Sequence, residues 1–436
     1  MKKYRSKLIA VIPVLGIIAI MFLFQCLKLP MLLTNIFFVS TSLVYMSYWW
    51  KNESENKWEV FIIWGAFFAR VVICLLDIYA IEYIDIPFTG GDSVGYLAVA
   101  EEYYHGNMGR FYTYYPYVIN AIFQFAGLNR FAAQFVNILC WCVCTLLIQK
   151  ACHLMDIKNE FRILTIMIYS FMPVNLIYTS SLMREAIPGL AILYLFYSIL
   201  KWMKDGKYSS LLIAAVISAP GFILHNSMIA IWAVMAFVLV LYSPSKQKFC
   251  IEKKSVYAFI IGIAGVLAIV FALPHGMISV QIPDFRNGIF DAINERLESF
   301  YNNYGGSTYL MNEYVYDYPS LFTGTIQRML YFFCAPFPTF WRGLGDAAAF
   351  FMSAFVYIIC VVTAIVSMFA KKRDSYRFVM GITVFVISGI FAWMVSNSGT
   401  AMRHRTKFLG IVVLLGMYSA TLIRDQWKKR NEKNTN

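Results

Sequence analysis

Charged side chains are scarce in this chain. Of its 436 residues, 60% are hydrophobic and only 14% are charged. A soluble protein of this length could not bury so much apolar surface, so the composition excludes the soluble globular class. Several stretches continue for about 18 residues or more almost without charge, which is enough to cross a hydrocarbon core about 30 Å thick.

Phosphate-binding loops are also missing. The sequence contains neither GxxxxGK[ST] nor GxGxxG, so we expect no ATP coupling within the chain. The nine cysteines are not spaced like metal ligands in a polar segment. Those at 140, 142 and 144 lie in an apolar run, where we expect them to pack as small apolar side chains of a helix. The net charge of +13 does not indicate nucleic acid, because Lys and Arg gather in short loops on one side, as the positive-inside rule predicts.

The pattern that remains is a series of apolar segments joined by polar links. It predicts an all-α polytopic membrane protein with about twelve transmembrane helices and both termini cytoplasmic. The predicted spans are residues 8–27, 30–50, 58–80, 131–153, 161–179, 186–202, 209–224, 228–242, 256–273, 347–369, 378–395 and 408–423.

We expect one membrane domain covering residues 1–436. Its predicted parts are an N-terminal helical hairpin, core spans, two long outer loops with short interfacial helices, C-terminal spans and a cytoplasmic tail. The hairpin covers residues 1–50, and the core spans cover residues 58–273 and include the first outer loop at 81–130. The second outer loop is 274–343, the C-terminal spans are 344–423 and the tail is 424–436.

The third predicted span contains two charged residues, Arg70 and Asp77. They are seven residues apart and so lie on roughly one helical face. Charge inside a span is costly and usually meets a partner or a cavity. A mutual ion pair and a functional role both remain open.

The first outer loop has the chemistry expected of an active site. Asp92 follows two glycines, and Glu101, Glu102 and His105 come after it among many tyrosines. We predict these four residues to be catalytic, with a carboxylate accepting the proton of an attacking sugar hydroxyl. Asp92 could also hold a divalent cation such as Mg²⁺ or Mn²⁺, which prefers oxygen ligands, or could only cap a helix that begins near Ser93.

Other unusual polar residues fall on the same predicted membrane face. We predict that they bind substrate, because Arg makes planar bidentate contacts with phosphate oxygens. Arg184 and Glu185 could instead form a local ion pair at a helix start, and His225 could simply hydrogen-bond a carbonyl. Neither role would require a substrate. The predicted substrate-binding residues are Arg184, Glu185, His225, Arg403, His404 and Arg405, with Lys407 close by.

Two segments of the first outer loop resemble a known family. They read GGDSVGYLAVAEEYYHGN and YYPYVINAIFQFAGLNRFAAQFVN. They resemble the first outer loop of GT-C glycosyltransferases, which use polyprenyl-phosphate sugars. The resemblance implies that Asp92 is the catalytic or metal-binding carboxylate, although Ser93 stands where the family often has a second acid. NSGTAMRHRTKF is similar to the Arg-rich motif before the last span of such enzymes.

A second resemblance concerns the segment from Met183 to Ser227. It is similar to the repeat-unit polymerases of bacterial exopolysaccharide and O-antigen pathways. In those proteins an Arg opens one span and His-x-Ser closes the next, which correspond here to Arg184 and to His225-Asn226-Ser227.

These observations predict a glycosyltransferase at the outer face of a bacterial cytoplasmic membrane. Its partners would be membrane lipid, a polyprenyl-(di)phosphate-linked sugar donor and a glycan or lipid-linked acceptor in cell-surface polysaccharide synthesis. The alternatives are a repeat-unit polymerase and a flippase for the same lipid-linked substrate. A flippase is expected to carry charge through several spans, whereas here only Arg70 and Asp77 are plainly intramembrane.

Overall fold

Helices make up nearly all of the regular secondary structure. A computed structural model describes residues 31–83, 86, 90–109, 113–225, 228–250, 256–257, 260, 288–302, 307–341, 343–370 and 373–435. Within these ranges the one sheet is a short antiparallel hairpin of β1 (Tyr242–Ser243) and β2 (Lys248–Phe249).

The helices before β1 follow one another closely. They are α1 (Met31–Glu53), α2 (Lys57–Tyr79), α3 (Gly90–Tyr104), α4 (Tyr115–Ala126), α5 (Arg130–Leu154), α6 (Asn159–Phe171), α7 (Pro173–Tyr178), α8 (Ala186–Asp205), α9 (Tyr208–Leu224) and α10 (Ile229–Leu241).

The described helices after β2 are fewer and on average longer. They are α11 (Ile289–Asn302), α12 (Tyr318–Cys334), α13 (Leu344–Ala370), α14 (Ser375–Trp393), α15 (Ser398–Thr406) and α16 (Leu409–Thr435). One turn of α13, Phe350–Ala354, is a π-helix.

Polar residues cap several of these helices. The side chain of Asn56 accepts hydrogen bonds from the first turn of α2, and Asp317, Asp374 and Asn397 do the same for α12, α14 and α15. Each cap satisfies backbone N–H groups that a helix start would otherwise leave without partners. These short polar links therefore fix where the helices begin.

Six of the described helices are long and apolar enough to cross a membrane: α1, α2, α5, α8, α13 and α14. A seventh candidate span is the pair α15 and α16, which is bent by 70° at a short break. The prediction of an all-α, multi-pass membrane protein is thereby confirmed in its coarse form.

The prediction of about twelve spans is supported for only part of the chain. The segments predicted at 209–224 and 228–242 are the shorter apolar helices α9 and α10. The segment predicted at 161–179 is divided into α6 and α7, because Pro173 lacks the N–H that would continue the helix. The span at 8–27 lies outside the described residues, as does nearly all of the one at 256–273.

The second predicted outer loop contains more helix than we expected. Its first described helix is α11, which keeps Ala292 and Leu297 buried and its charged side chains exposed. The segment after α12 contains a short 3₁₀ turn at Pro338–Phe340. We did not predict α12 itself, which packs against α14 and buries Arg328.

The chain divides into two compact units. Unit 1 comprises Met1–Leu146 and Asn175–Ala186, and unit 2 comprises Leu147–Val174 and Ile187–Asn436. The single membrane domain stays a prediction.

An aromatic cluster forms the core of unit 1. Trp50 is fully buried, and its ring lies 5.4 Å from that of Trp64 and 6.4 Å from that of Trp141, in edge-to-face contacts. Each such pair contributes about 0.5–1.5 kcal/mol beyond the area that it buries. The cluster joins α1, α2 and α5.

Helix α16 forms the centre of unit 2. Its residues 409–415 are all buried, and it packs against α6, α13 and α14. At Gly416 the backbone of α13 comes so close that an added Cβ would lie 2.8 Å from the sulfur of Cys360. Small residues permit such close helix contacts in membrane proteins.

Candidate functional site

Arg70 and Asp77, the two charged residues of the predicted third span, do not pair with each other. Asp77 accepts hydrogen bonds from Arg130, at 2.7 Å, and from Gln134. Arg70 is fully buried, and its guanidinium carbon lies 3.8 Å from the ring centroid of Trp141. The mutual Arg70–Asp77 pair, one of the two possibilities that the sequence left open, is therefore not formed, and both side chains have other partners.

Arg70 also holds the segment that leads into the turn before α8. Its Nε donates a 2.8 Å hydrogen bond to the Thr179 hydroxyl, and one terminal nitrogen donates to the Ala66 carbonyl at 3.1 Å. A buried guanidinium requires such partners, because removing it from water is costly.

Asp92 lies in the first turn of α3, which begins at Gly90, so it is within the helix and does not cap it. A carboxylate here is stabilised by the positive end of the helix dipole. The Asp92 side chain is partly exposed, and Tyr96, one turn later, is buried. The Tyr96 ring packs edge-on against Tyr115 of α4 at 5.2 Å.

Tyr115 connects α3 and α4 to the turn that contains Arg184 and Glu185. The side-chain amide of Asn137 donates to the Tyr115 hydroxyl at 3.2 Å and to the carbonyls of Ser181 and Met183, each at 2.8 Å. Burial raises the pKa of Tyr115 far above its usual range, and the negative charge of Glu185 raises it further. Tyr115 is thus a neutral hydrogen-bonding phenol.

The Glu185 carboxylate is 2% exposed, and one of its oxygens lies 4.0 Å from Nε of Arg184. The local pair that we considered for these two residues therefore exists, at the outer limit of an ion pair. The sequence analysis missed Tyr115 and Asn137, although a polar Asn137 within an apolar span was a usable signal.

The other three predicted catalytic residues lie away from Asp92. Glu101 is nine residues later on α3, which places it on the opposite face and about 14 Å along the axis. Glu101 and His105 are exposed, and Glu102 is partly exposed. Burial raises the pKa of the adjacent Tyr103 to about 12, with a hydrogen bond to Tyr117 adding to the rise, so this phenol is not a base near neutral pH.

Unit 2 brings together residues that were predicted separately. His225, at the end of α9, lies 4.8 Å from His404 of α15, measured between ring centroids. Phe391 of α14 stacks on His404 at 5.2 Å and contacts His225 at 5.3 Å. The Lys407 ammonium donates to Nδ1 of His404.

We call His225, Arg403, His404 and Lys407 the cation cluster. Lys407 is 3% exposed and His404 is 6% exposed, whereas Arg403 and His225 are partly exposed. Because the ammonium can only donate, Nδ1 of His404 accepts, and the ring proton then sits on Nε2 as a further donor. The cluster concentrates positive charge and N–H donors at the bend between α15 and α16.

Arg405 has a different role from its neighbours. It is fully buried, and its guanidinium donates to the backbone carbonyls of Phe333 and, at 3.1 Å, of Ala335. These are carbonyls at the C-terminal end of α12. Arg405 therefore holds α12 against α15, and its known contacts are structural.

The described residues do not supply a ready set of metal ligands. Among the described residues, no group of three or more His, Cys, Asp or Glu side chains could hold a metal ion. The residue after Asp92 is the buried Ser93, which leaves the described part of the loop with one carboxylate at that point.

Comparison with known proteins gives this chain no relatives: no family model, curated protein or solved structure matches it.

Proposed function

We propose that the protein is a membrane glycosyltransferase that acts on polyprenyl-(di)phosphate-linked sugars. The observation that carries the proposal is the cation cluster, in which Lys407, His404 and Arg403 gather donors at one bend of the backbone. Phosphate and carboxylate oxygens are the ligands that such donors suit, and a polyprenyl (di)phosphate carries the former. The proposed location is the outer face of a bacterial cytoplasmic membrane.

The reaction would exchange one bond for another at the anomeric carbon of the donor. The bond from this carbon to the carrier phosphate oxygen breaks, and a bond to the acceptor hydroxyl oxygen forms. The acceptor proton passes to a base, and negative charge develops on the departing phosphate. Preorganised donors aimed at developing charge are a large source of catalysis. Lys407 and the Nε2–H of His404 would provide them.

Asp92 is our candidate for the base, on the resemblance of its loop to that of GT-C enzymes. The Asp92 side chain is partly exposed in the first turn of α3, which leaves the carboxylate reachable by solvent or substrate. We route no step through a divalent cation, because among the described residues no group of three or more His, Cys, Asp or Glu side chains could hold one.

A second candidate is a repeat-unit polymerase, which transfers a growing glycan onto the next lipid-linked unit. His225 carries the resemblance to these polymerases, and it contacts His404 of the Arg-rich segment. The two segments that suggested different families thus contribute to one cluster.

Mass analysis of lipid-linked glycans in a deletion strain tests both candidates. Truncated units on the carrier support a monosaccharide transferase, and single complete units support a polymerase. Complementation with Lys407→Met should leave the accumulation unchanged if the cluster binds phosphate. Absence of any accumulating lipid-linked glycan, or full complementation by Lys407→Met at matched expression, would contradict the proposal.

A further inference from the structure

A groove of about 1220 Å³ lies in unit 2, between α10, the β1–β2 hairpin, α12, α13, α14 and α16. Most of its wall is apolar, with side chains from each of these helices. Representative residues are Phe237, Met329, Ile365, Phe385 and Leu415.

One end of the groove is polar. Lys248 of β2, Arg373 before α14, and Asp374 and Arg377 at its start line this end. Arg377 is committed to α13, since it donates to the Ser367 carbonyl at 2.7 Å. The Asp374 carboxylate is also occupied, because it caps α14 and accepts a hydrogen bond from the Tyr418 hydroxyl.

Lys248 and Arg373 differ from that pair. Both side chains are exposed, and within the described part of the chain neither forms a side-chain hydrogen bond or an ion pair. Two unneutralised cations therefore stand at the mouth of an apolar groove. The groove follows α14 from Ser375 to Phe385, which is about 15 Å and so about half of a hydrocarbon core of about 30 Å.

We propose that this groove binds an anionic phospholipid of the surrounding membrane. Its phosphate would pair with Lys248 and Arg373, while its acyl chains would lie along α13 and α14. Basic pockets between transmembrane helices recognise anionic headgroups in this way. A depth of one leaflet fits an acyl chain, whereas a polyprenyl carrier is several times longer than the groove.

The charge requirement can be tested on the full-length protein in nanodiscs. Native mass spectrometry should show phosphatidylglycerol retained by the wild type and phosphatidylcholine retained at least about 10-fold less. The double variant Lys248→Glu/Arg373→Glu should lose phosphatidylglycerol to a similar extent. Lys429→Glu/Arg430→Glu removes the same charges from an exposed part of α16 and should retain it.

The apolar requirement has a separate test. Gly381 of α14 lines the groove, and a Cβ added there meets no atom within 4 Å. Gly381→Leu should therefore fill the groove and displace lipid with both cations intact. Gly345→Leu is the matched control, because its Cβ also enters open space and Gly345 lies at the start of α13, outside the part of that helix that lines the groove.

Several results would overturn the proposal. These are equal retention of both phospholipids, retention by both groove variants, loss in both controls, or a retained lipid that proves to be polyprenyl phosphate. The first three do not bear on glycosyl transfer, which is measured separately.

Discussion

The imidazole rings of His225 and His404 lie 4.8 Å apart and nearly perpendicular, at 76°. The two residues come from distant parts of the chain, and Phe391 packs against both rings. The two rings could serve only to pack the helices, or they could transfer protons or bind phosphate. Replacing one imidazole with a ring that lacks nitrogen atoms distinguishes these roles.

His225→Phe separates the two roles. Phenylalanine preserves an aromatic ring beside His404 and Phe391 but cannot donate or accept a hydrogen bond. If His225 takes part in transfer, product formation should fall on the order of 100-fold while the melting temperature changes little. The measurement is lipid-linked product in membranes at matched expression. Wild-type product formation would make His225 a packing residue.

Arg403 and Arg405 should give opposite results when each is replaced by alanine. Arg405→Ala leaves the carbonyls of Phe333 and Ala335 without their donor and should reduce stability on the order of 3 kcal/mol. Arg403 is partly exposed, so Arg403→Ala should reduce product formation with little loss of stability. Thermal melting and product assays on both variants check this. Equal melting temperatures of the two variants would show that the hydrogen bonds of Arg405 do not stabilise the fold.

Asp92→Asn tests the proposed base. The variant keeps the size of the side chain in the first turn of α3 but loses its charge. Turnover should fall on the order of 100-fold or more if the carboxylate accepts a proton. Glu101→Gln is the control, because Glu101 is exposed on the opposite face of the same helix. Full activity of Asp92→Asn would remove this residue from the mechanism.

Replacements of Asp77 and Arg130, which form an ion pair, should have non-additive effects on the free energy of unfolding. Their side chains are 5% and 20% exposed, respectively, so removing one partner leaves a charge in poorly solvated surroundings. Asp77→Leu or Arg130→Leu alone should cost on the order of 3 kcal/mol, and the double variant should cost less than the sum. Melting of the three purified variants measures this coupling. Additive effects would show that the pair contributes no interaction energy.

The proposed orientation can be tested with exposed positions. Cysteine introduced at Glu101 or Asn107 should react with an impermeant thiol reagent in intact cells, and cysteine at Lys207 should not. The protein without an introduced cysteine gives the background labelling of the native thiols, of which Cys250 and Cys334 are partly exposed. Labelling at Lys207 alone would reverse the orientation.

The helices of this protein were predictable where a local signal determines them. The segments predicted at 131–153 and 378–395 are close to α5 and α14, because a long apolar run bounded by polar residues is sufficient to define each helix. Helix α12 was missed because Arg328 and its polar neighbours resemble a solvated loop, whereas the structure buries that arginine among hydrogen-bond partners.

The candidate sites were predictable as residue types but not as groups. Residues two apart on a helix face different directions, so Arg403 and Arg405 cannot share one role, yet the sequence alone presents them as one motif. The contact of His225 with His404 depends on how α9, α14 and α15 pack. That packing is a long-range property that neither segment encodes locally.

The position of α16 at the centre of unit 2 has a consequence for biogenesis. In the order of synthesis α16 follows α6, α13 and α14, the helices that it packs against. The faces of these helices that contact α16 must therefore face lipid or the insertion machinery until α16 arrives. We expect unit 2 to become resistant to protease in pulse-chase experiments only once the segment through Leu422 has entered the membrane. Until then, the earlier helices of unit 2 form an incomplete assembly that membrane quality-control proteases can recognise.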